Sequence, residues 1–357
     1  MIKLVYSWLK KVEKEYGTPK STQIIDIITS RFTLKLGVSE YFELELFDKK
    51  KYPTLKNCVG RKVSAKIDKA LNQDGWRATA NDKILNYSLL THFNFPIPKT
   101  IATYRAGNAR IDNEKSLSSP EQLHDFFTEH KEDPFFIKPV HGTYGRGTFS
   151  LSSYDINRCS FQSSTGKNIS FDEIVSAGNN PGYKGLLIQK RFKHHSTIKN
   201  AVGDNISCVR VILIRDGLNA FVHRAFWKIA RINNITDTFS YGKHGNLLAD
   251  VDTTTGHIKR VITGFWPEKN PTSIHPDTGV ELSDFQIPDW DLAIQQCIAA
   301  SNIFSGLSLQ SWDIAFCEEG PVLMELNTEP NLEVPQLLSE KPFIDERLLK
   351  ILKKNNW

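Results

Sequence analysis

Polar and apolar positions alternate along Trp312-Asp313-Ile314-Ala315-Phe316-Cys317 and again along Gly320-Pro321-Val322-Leu323-Met324-Glu325-Leu326-Asn327. A period of two predicts an antiparallel hairpin. It puts Asp313, Ala315 and Cys317 on one face and Ile314 and Phe316 on the other. On the return strand Glu325 and Asn327 share a face, and Met324 and Leu326 turn to the core behind. Opposed residues of an antiparallel pair lie on the same side of the sheet, so the loop decides whether the two sets of oxygens meet. A three-residue loop of Glu318-Glu319-Gly320, with Gly320 left-handed, sets Asp313 opposite Glu325. A two-residue loop at Glu319-Gly320 sets it opposite Leu326 instead.

Elsewhere the period changes. Residues 1–78 carry helical stripes such as Tyr6-Ser7-Trp8-Leu9 and Ile24-Ile25-Asp26-Ile27-Ile28, broken at Gly17-Thr18-Pro19, and predict a mainly helical region. A helix is expected over 81–90, ending at Phe95-Pro96-Ile97-Pro98, and a second from Ser119 with Pro120 in its first turn and Gln122 completing a capping box. Between them, 99–118 is polar and reads as a short strand with loops. Phe135-Phe136-Ile137-Lys138-Pro139 is a strand that enters a glycine-rich loop, 142–147, followed by another strand. After a capped helix at 170–177, Gly185-Leu186-Leu187-Ile188-Gln189-Lys190-Arg191-Phe192 is a buried strand running into a polar hinge. Residues 208–228 form a hairpin about Asp216-Gly217. The stretch 237–256 reads as a glycine-bearing loop, mobile around a substrate. The helices at 290–301 and through Leu348, Leu349 and Leu352 are structural.

Composition narrows the class. A chain of 357 residues suits two or three packed subdomains, and 40% hydrophobic with 24% charged residues is ordinary for a soluble enzyme. No apolar run approaches the roughly 18 residues that cross a bilayer, and residues 1–11 lack a signal-type apolar stretch, so the expected location is cytoplasmic. Five scattered cysteines without CxxC spacing argue against a disulfide framework or a zinc site, and read as buried reduced thiols. The net charge of +5 is spread along the chain and suits phosphorylated or carboxylated ligands. Lys49-Lys50-Lys51 reads as a solvated face, and the aromatics do not interleave with a basic stripe as nucleic-acid binding would need.

Candidate chemistry follows from the placement of charge. Three oxygens on one hairpin face (Asp313, Glu325, Asn327) suit Mg²⁺, which prefers one or two carboxylates with waters and phosphate oxygens. In the 142–147 loop, Gly142, Gly145 and Gly147 let backbone N–H groups ring a phosphate while Lys138 and Arg146 add charge. The loop is not a Walker A motif, because no GK[ST] follows and a strand comes next. Arg210 sits in an apolar strand, where a guanidinium must be paired or bind an anion. His194 and His195 lack further metal-type spacing and read as hinge residues.

The order of these pieces resembles the ATP-grasp superfamily, and more narrowly its sugar-transfer-associated branch, over residues 30–340. The residues that carry the likeness are Asn81-Asp82-Lys83, Ile137-Lys138-Pro139, the 142–147 loop, Gln189 with His195, Cys208-Val209-Arg210-Val211, 252–256, and Gly320 through Asn327. The resemblance implies an α+β ATP-grasp fold in which two subdomains, 79–192 and 193–357, grip ATP behind a helical region, 1–78. It implies Lys83 and Lys138 on the α- and β-phosphates, the glycine loop with Arg146 above them, and Gln189, Lys190, Arg191, Phe192 and His195 around the nucleotide. Asp313, Glu325 and Asn327 would hold Mg²⁺, and Arg210 with Lys228 would act at the transferring phosphoryl group. At Lys228, and at Thr238 beside Asp237, the pattern would have Arg and Asn. The implied reaction is carboxylate activation by ATP, then amine attack on the acyl phosphate with release of ADP, in modification of a surface-polysaccharide sugar acid. Its partners are a small-molecule acid and amine, without nucleic acid or membrane insertion. The alternatives are an ATP-grasp-type small-molecule kinase and a non-catalytic nucleotide-binding subunit of a glycan assembly complex.

Overall fold

Two seven-stranded sheets dominate the fold, and each is built from its own stretch of chain. The computed structural model describes residues 2–107, 114–143, 145–328, 330–355 and 357. Tyr144 of the glycine loop and part of the expected polar connection, 108–113, lie outside the described residues. Helices come first: α1 (Ile2–Tyr16), α2 (Lys20–Thr33), α3 (Val38–Glu43), α4 (Arg61–Leu71), α5 (Ala78–Asn81) and α6 (Lys83–His92). The first sheet contains β1 (Thr100–Tyr104), β2 (Lys115–Leu117), β3 (Phe135–Pro139), β4 (Phe149–Asp155), β5 (Ser160–Ser163), β6 (Asn168–Ser170) and β7 (Leu186–Lys190). Its order is β2-β1-β7-β3-β4-β5-β6, with α7 (Pro120–Glu129) and α8 (Phe171–Gly178) in the connections.

After α9 (Ser196–Val202), the second sheet runs β12-β11-β10-β9-β8-β13-β14. Its strands are β8 (Val209–Asp216), β9 (Asn219–Ile229), β10 (Leu247–Val251), β11 (Ile258–Thr263), β12 (Asn270–Thr272), β13 (Leu309–Cys317) and β14 (Gly320–Asn327). Helices α10 (Trp290–Ser301), α11 (Glu333–Ser339) and α12 (Glu346–Lys354) complete the chain. Among the described residues every strand pair is antiparallel except β1 with β2. The α+β reading and the helical start therefore hold.

Alternation in the second sheet explains what covers it. Val209, Val211, Ala225, Trp227, Trp312 and Ile314 point to one side and pack with Ala293, Cys297 and Ala300 of α10. On the opposite side, Phe226, Leu248 and Ile262 are covered by Leu9, Val12, Tyr41, Phe42 and Phe47 of the N-terminal region. Ile212 and Ile214 lie under α4 and α12. The main core also takes in Ile84, Tyr87 and Leu90 of α6 and Leu187 of the first sheet, so α6 joins the two sheets. Apolar packing thus crosses both expected region boundaries, 78/79 and 192/193.

Several expectations change. The hairpin turn is two residues, Glu318-Glu319, since Cys317 pairs with Gly320. That register alone would bring Asp313 opposite Met324. A β-bulge at Met324 shifts it, and Asp313 pairs with Glu325 after all. The bulge also turns Met324 away from the α10 side, to pack with Ala315, Cys317 and Cys208. The stretch 237–256 is not all loop, because Leu247–Val251 forms an interior strand paired on both edges. The lysine run is not simply solvated: Lys49 pairs with Asp26, and Lys51 lies among Glu45, Asp48 and Glu340. All five cysteines are free, and Cys159 is exposed while the other four are buried.

At the start of α11, Glu333 is buried and one carboxylate oxygen meets no partner among the described residues. Burial, aided by Glu40 and Glu43, pushes its carboxyl up to about 7. A carboxyl raised on folding contributes stability below its unfolded value and loses it as pH rises through the folded one. Glu333→Gln is expected to flatten the fall in unfolding free energy between pH 5 and pH 8 by about 2 kcal/mol, read by urea denaturation against the parent chain.

Candidate active site

The site is assembled from α6, β3, the glycine loop, and the β8-β13-β14 face of the second sheet. Asp82 caps α6 by accepting from the backbone N–H groups of Ile84 and Leu85 at 2.9 and 3.0 Å, which fixes Lys83 in the first turn. The second carboxylate oxygen of Asp82 lies 2.9 Å from His141 Nε2, at the root of the glycine loop. Burial works against this charge, but the Leu85 N–H and His141 hold the Asp82 carboxyl below its ordinary range. Lys83 Nζ donates to the Gly142 carbonyl at 3.1 Å and pairs with Glu325 Oε1 at 3.0 Å. One lysine therefore links the loop to the second sheet.

Lys138 points from β3 toward the same place and is 8% exposed. Its Nζ donates to the Tyr87 hydroxyl at 2.7 Å, and Tyr87 donates to the Met324 carbonyl at 2.6 Å. No carboxylate forms an ion pair with Lys138 among the described residues, and burial pushes its ammonium below the usual lysine value. A buried, unpaired ammonium is expensive, so this position is suited to an anion brought by a ligand. Because the accepting carbonyl is that of the bulge residue, Tyr87 ties Lys138 to the irregularity that aligns Glu325.

Across the cleft, Arg210 grips Asp313 with two parallel bonds, Nε to Oδ1 at 2.8 Å and a terminal guanidinium nitrogen to Oδ2 at 2.7 Å. Lys228 Nζ lies 3.1 Å from Asp313 Oδ2 and 3.2 Å from Asp237 Oδ1. Asn327 Nδ2 reaches Asp313 Oδ2 at 3.4 Å. Burial opposes all three charges, yet mutual attraction outweighs it. Arg210 and Lys228 are held above their ordinary values and Asp313 below its own. Asp237 Oδ2 is fastened by the Cys208 backbone N–H at 2.9 Å.

The glycine loop sits under tight steric limits. Gly145 has φ +68°, and a Cβ there would come within 2.8 Å of Thr236 on the second lobe. At Gly147, φ is +70° and a Cβ would meet the Tyr183 ring at 2.5 Å. Both positions need a residue without a side chain. Arg146 is exposed and Gly142 is half-buried.

At the hinge, Gln189 is buried and donates to Thr100 Oγ1 at 3.1 Å, leaving its carbonyl oxygen without a partner among the described residues. Lys190 and Arg191 are held by backbone bonds to Lys99 and Pro134, and Lys190 is exposed. Phe192 packs with Ile206 against Cys208, Ala315, Cys317, Val322 and Met324, an apolar wall beside the hinge. His195 is half-buried; its backbone N–H donates to the Phe316 carbonyl at 2.9 Å, and its Nδ1 accepts from Thr197 N–H at 3.2 Å.

Three bonded groups thus meet at the site: Lys83 with Gly142 and Glu325, Lys138 with Tyr87, and Arg210, Lys228 and Asn327 on Asp313, while no side-chain bond among the described residues ties Arg146, Lys190 or His195 to them. Sequence reasoning missed Tyr87 and His141. Tyr87 lies one helical turn after Lys83, so the i, i+4 spacing was an available signal. Nothing local marks His141.

The family profile for sugar-transfer associated ATP-grasp proteins matches residues 62–352. The chain belongs to that family. Among solved structures, this ATP-grasp chain is similar to a biotin carboxylase from Campylobacter jejuni (11% identity, TM-score 0.49), covering 82% of this chain and 50% of that one. It is also similar to a D-alanyl-alanine synthetase A from Vibrio cholerae (14% identity, TM-score 0.44), covering 78% and 65%. A D-alanine-D-alanine ligase from Coxiella burnetii matches at 10% identity and TM-score 0.43, covering 80% and 60%. The chain spans half to about two thirds of these enzymes' lengths, and no residue role is taken from them. No curated protein matches it.

For a divalent cation, the donor set fits unevenly. Hard oxygens of the right kind share one face, and Glu325 Oε2 and Asn327 Oδ1 accept no hydrogen bond from the described residues. Asp313 already answers Arg210, Lys228 and Asn327, so a cation would share it with them.

Two substitutions test this geometry. Tyr87→Phe leaves Lys138 and the Met324 carbonyl without their shared partner, and is expected to weaken nucleotide binding about ten-fold in calorimetric titration while the fold persists in circular dichroism. Asp313→Ala leaves two buried cations facing Asp237 alone, and should lower unfolding free energy by about 3–5 kcal/mol in urea.

Proposed function

We propose that this protein is an ATP-dependent carboxylate–amine ligase that forms an amide or peptide bond through an acyl phosphate and releases ADP. The observation that carries the reading is Lys138: a buried ammonium whose hydrogen-bond partner among the described residues is a phenol, beside a cluster of cations and oxygens in a chain of the ATP-grasp family. Polyphosphate is the ligand chemistry that answers it.

In this reading the triphosphate lies between Lys83 and Lys138 under the backbone of Gly142, Gly145 and Gly147, with Arg146 closing from outside. The base would lie along Gln189, Lys190, Arg191 and Phe192, with the Gln189 carbonyl oxygen taking a donor and the apolar wall beside Phe192 stacking the ring. His195, tied to the end of β13 through its backbone, would complete the nucleotide side of that hinge. Bound Mg²⁺, held by Glu325 and Asn327 with Asp313, would neutralise phosphate charge.

Arg210 and Lys228 stand where charge develops as a substrate carboxylate oxygen attacks the γ-phosphorus and the bond to ADP breaks. Their fixed positions, set by Asp313 and Asp237, mean little reorganisation is needed at that moment. The amine nitrogen then attacks the acyl carbon, inorganic phosphate leaves, and the nitrogen loses a proton. The glycine loop, packed against Thr236 on the facing lobe, would exclude water from the mixed anhydride. A sugar acid or its precursor in surface-polysaccharide modification is the substrate class we favour, in the cytoplasm, with 1–78, 79–192 and 193–357 as the working division of the chain.

The test is to incubate the protein with Mg-ATP and a panel of uronic acids and amino acids, scoring ADP and coupled mass. ADP should accumulate only when acid and amine are both present, and Arg210→Met should slow it about 10²-fold or more. AMP with pyrophosphate would overturn the acyl-phosphate route, and ADP formed with an alcohol alone would make the protein a kinase.

A further inference from the structure

Helix α2 is built inside out. Its inward positions include Gln23, fully buried with its amide donating to the Leu9 and Thr18 carbonyls at 3.1 and 2.8 Å, and Ser30, bonded to the Ile27 carbonyl. Its outward positions, besides Ser21, Thr29, Arg31 and Thr33, include Ile24, Ile25, Ile28 and Phe32, exposed by 45%, 63%, 53% and 71%. An ordinary surface helix has the opposite pattern. Single exposed apolar residues are common, but four large ones on consecutive turns of one helix form a patch of the kind that marks an interaction surface. A groove of about 380 Å³ continues it, lined by Ile27, Ile28, Arg31, Phe32, Leu36 and Val38.

Charge around the patch has one sign. Arg31 and Lys35 are exposed beside Phe32. The one acid of α2, Asp26, is taken up by Lys49 and the Tyr41 hydroxyl. Residues 1–35 contain seven Lys and Arg against three Asp and Glu, nearly the whole of the chain's net +5. These residues precede the 62–352 span that matches the family, so the feature is separate from the nucleotide cleft.

An apolar ridge with Arg31 and Lys35 at its edge suits the boundary between lipid headgroups and acyl chains. No helix among the described residues is long and apolar enough to cross a membrane, so such contact is peripheral. We propose that the outward face of α2 docks this protein on an anionic membrane surface, with Ile24, Ile25, Ile28 and Phe32 entering the headgroup boundary and Arg31 and Lys35 meeting anionic headgroups. The active-site cleft would then work beside a membrane whichever substrates it takes.

The experiment is co-sedimentation of the full chain with phosphatidylcholine vesicles, with and without phosphatidylserine. The parent chain is expected to bind the anionic vesicles and to be released by salt. The charge reversals Arg31→Glu and Lys35→Glu together should weaken that binding on the order of ten-fold or more. A triple change of Ile25, Ile28 and Phe32 to Ser should abolish it while melting behaviour and ATP binding stay at parental values. Equal binding to both vesicle types, no binding by the parent chain, or undiminished binding by the triple variant each overturns the proposal. A parent dimer in light scattering that the triple variant converts to monomer would overturn it too, by making this face a contact between copies of the chain.

Discussion

Everything at the candidate site depends on one buried ion cluster: Arg210 and Lys228 on neighbouring strands, held by Asp313 and Asp237. Placing two cations on a sheet face at 19% and 12% side-chain exposure is unfavourable by itself. Bidentate geometry and the shared Asp313 oxygen offset that penalty, and the result is a rigid positive surface rather than a flexible one. Rigidity of this kind is what the proposed phosphoryl transfer would draw on, because preorganised charge stabilises a developing transition state.

The cluster also constrains the hairpin. Asp313 can meet Arg210 and Glu325 together only if β13 is in register with both neighbours. On the β8 side pairing is regular, Asp313 opposite Arg210. On the β14 side the short turn would put the register out by one, and the Met324 bulge corrects it. The bulge exposes a carbonyl that Tyr87 then uses, and Tyr87 in turn holds Lys138. A local irregularity in one sheet thereby positions a lysine in the other.

Much of this was legible in the residues. Period-two alternation identified the hairpin and its charged face, with the Asp313–Glu325 opposition left to the turn; capping residues located α6, α7 and α8; an arginine in an apolar strand called for a partner or an anion. What stayed hidden has common physical causes. Loop length and bulge compensate each other, so the same pairing arises from two different turns and the pattern cannot separate them. Met324 was misplaced for the same reason, since a bulge breaks the alternation on which faces are assigned. Leu247–Val251 escaped notice because flanking glycines suggest a loop, although a strand buried on both faces shows no alternation at all. The partners of Asp313 were not legible either. Oxygens that share a face can bind a metal or neutralise buried cations, and only the register of β8 against β13 shows that Asp313 does the second.

That dual demand on Asp313 bears on how the two halves of the cleft communicate. Its carboxylate is saturated by Arg210, Lys228 and Asn327, whereas Glu325, its partner across the β13–β14 pair, is bonded among the described residues to Lys83 and keeps 29% exposure. In the proposed reading, a cation or phosphate would engage Glu325 and Lys83 more readily than Asp313. Drawing Lys83 from Glu325 toward a phosphate would also disturb its bond to the Gly142 carbonyl, and the glycine loop would feel ligand binding through that one ammonium. The glycine loop, Glu325 and Lys83 are thus mechanically one unit, while Arg210, Lys228 and Asp313 form a second.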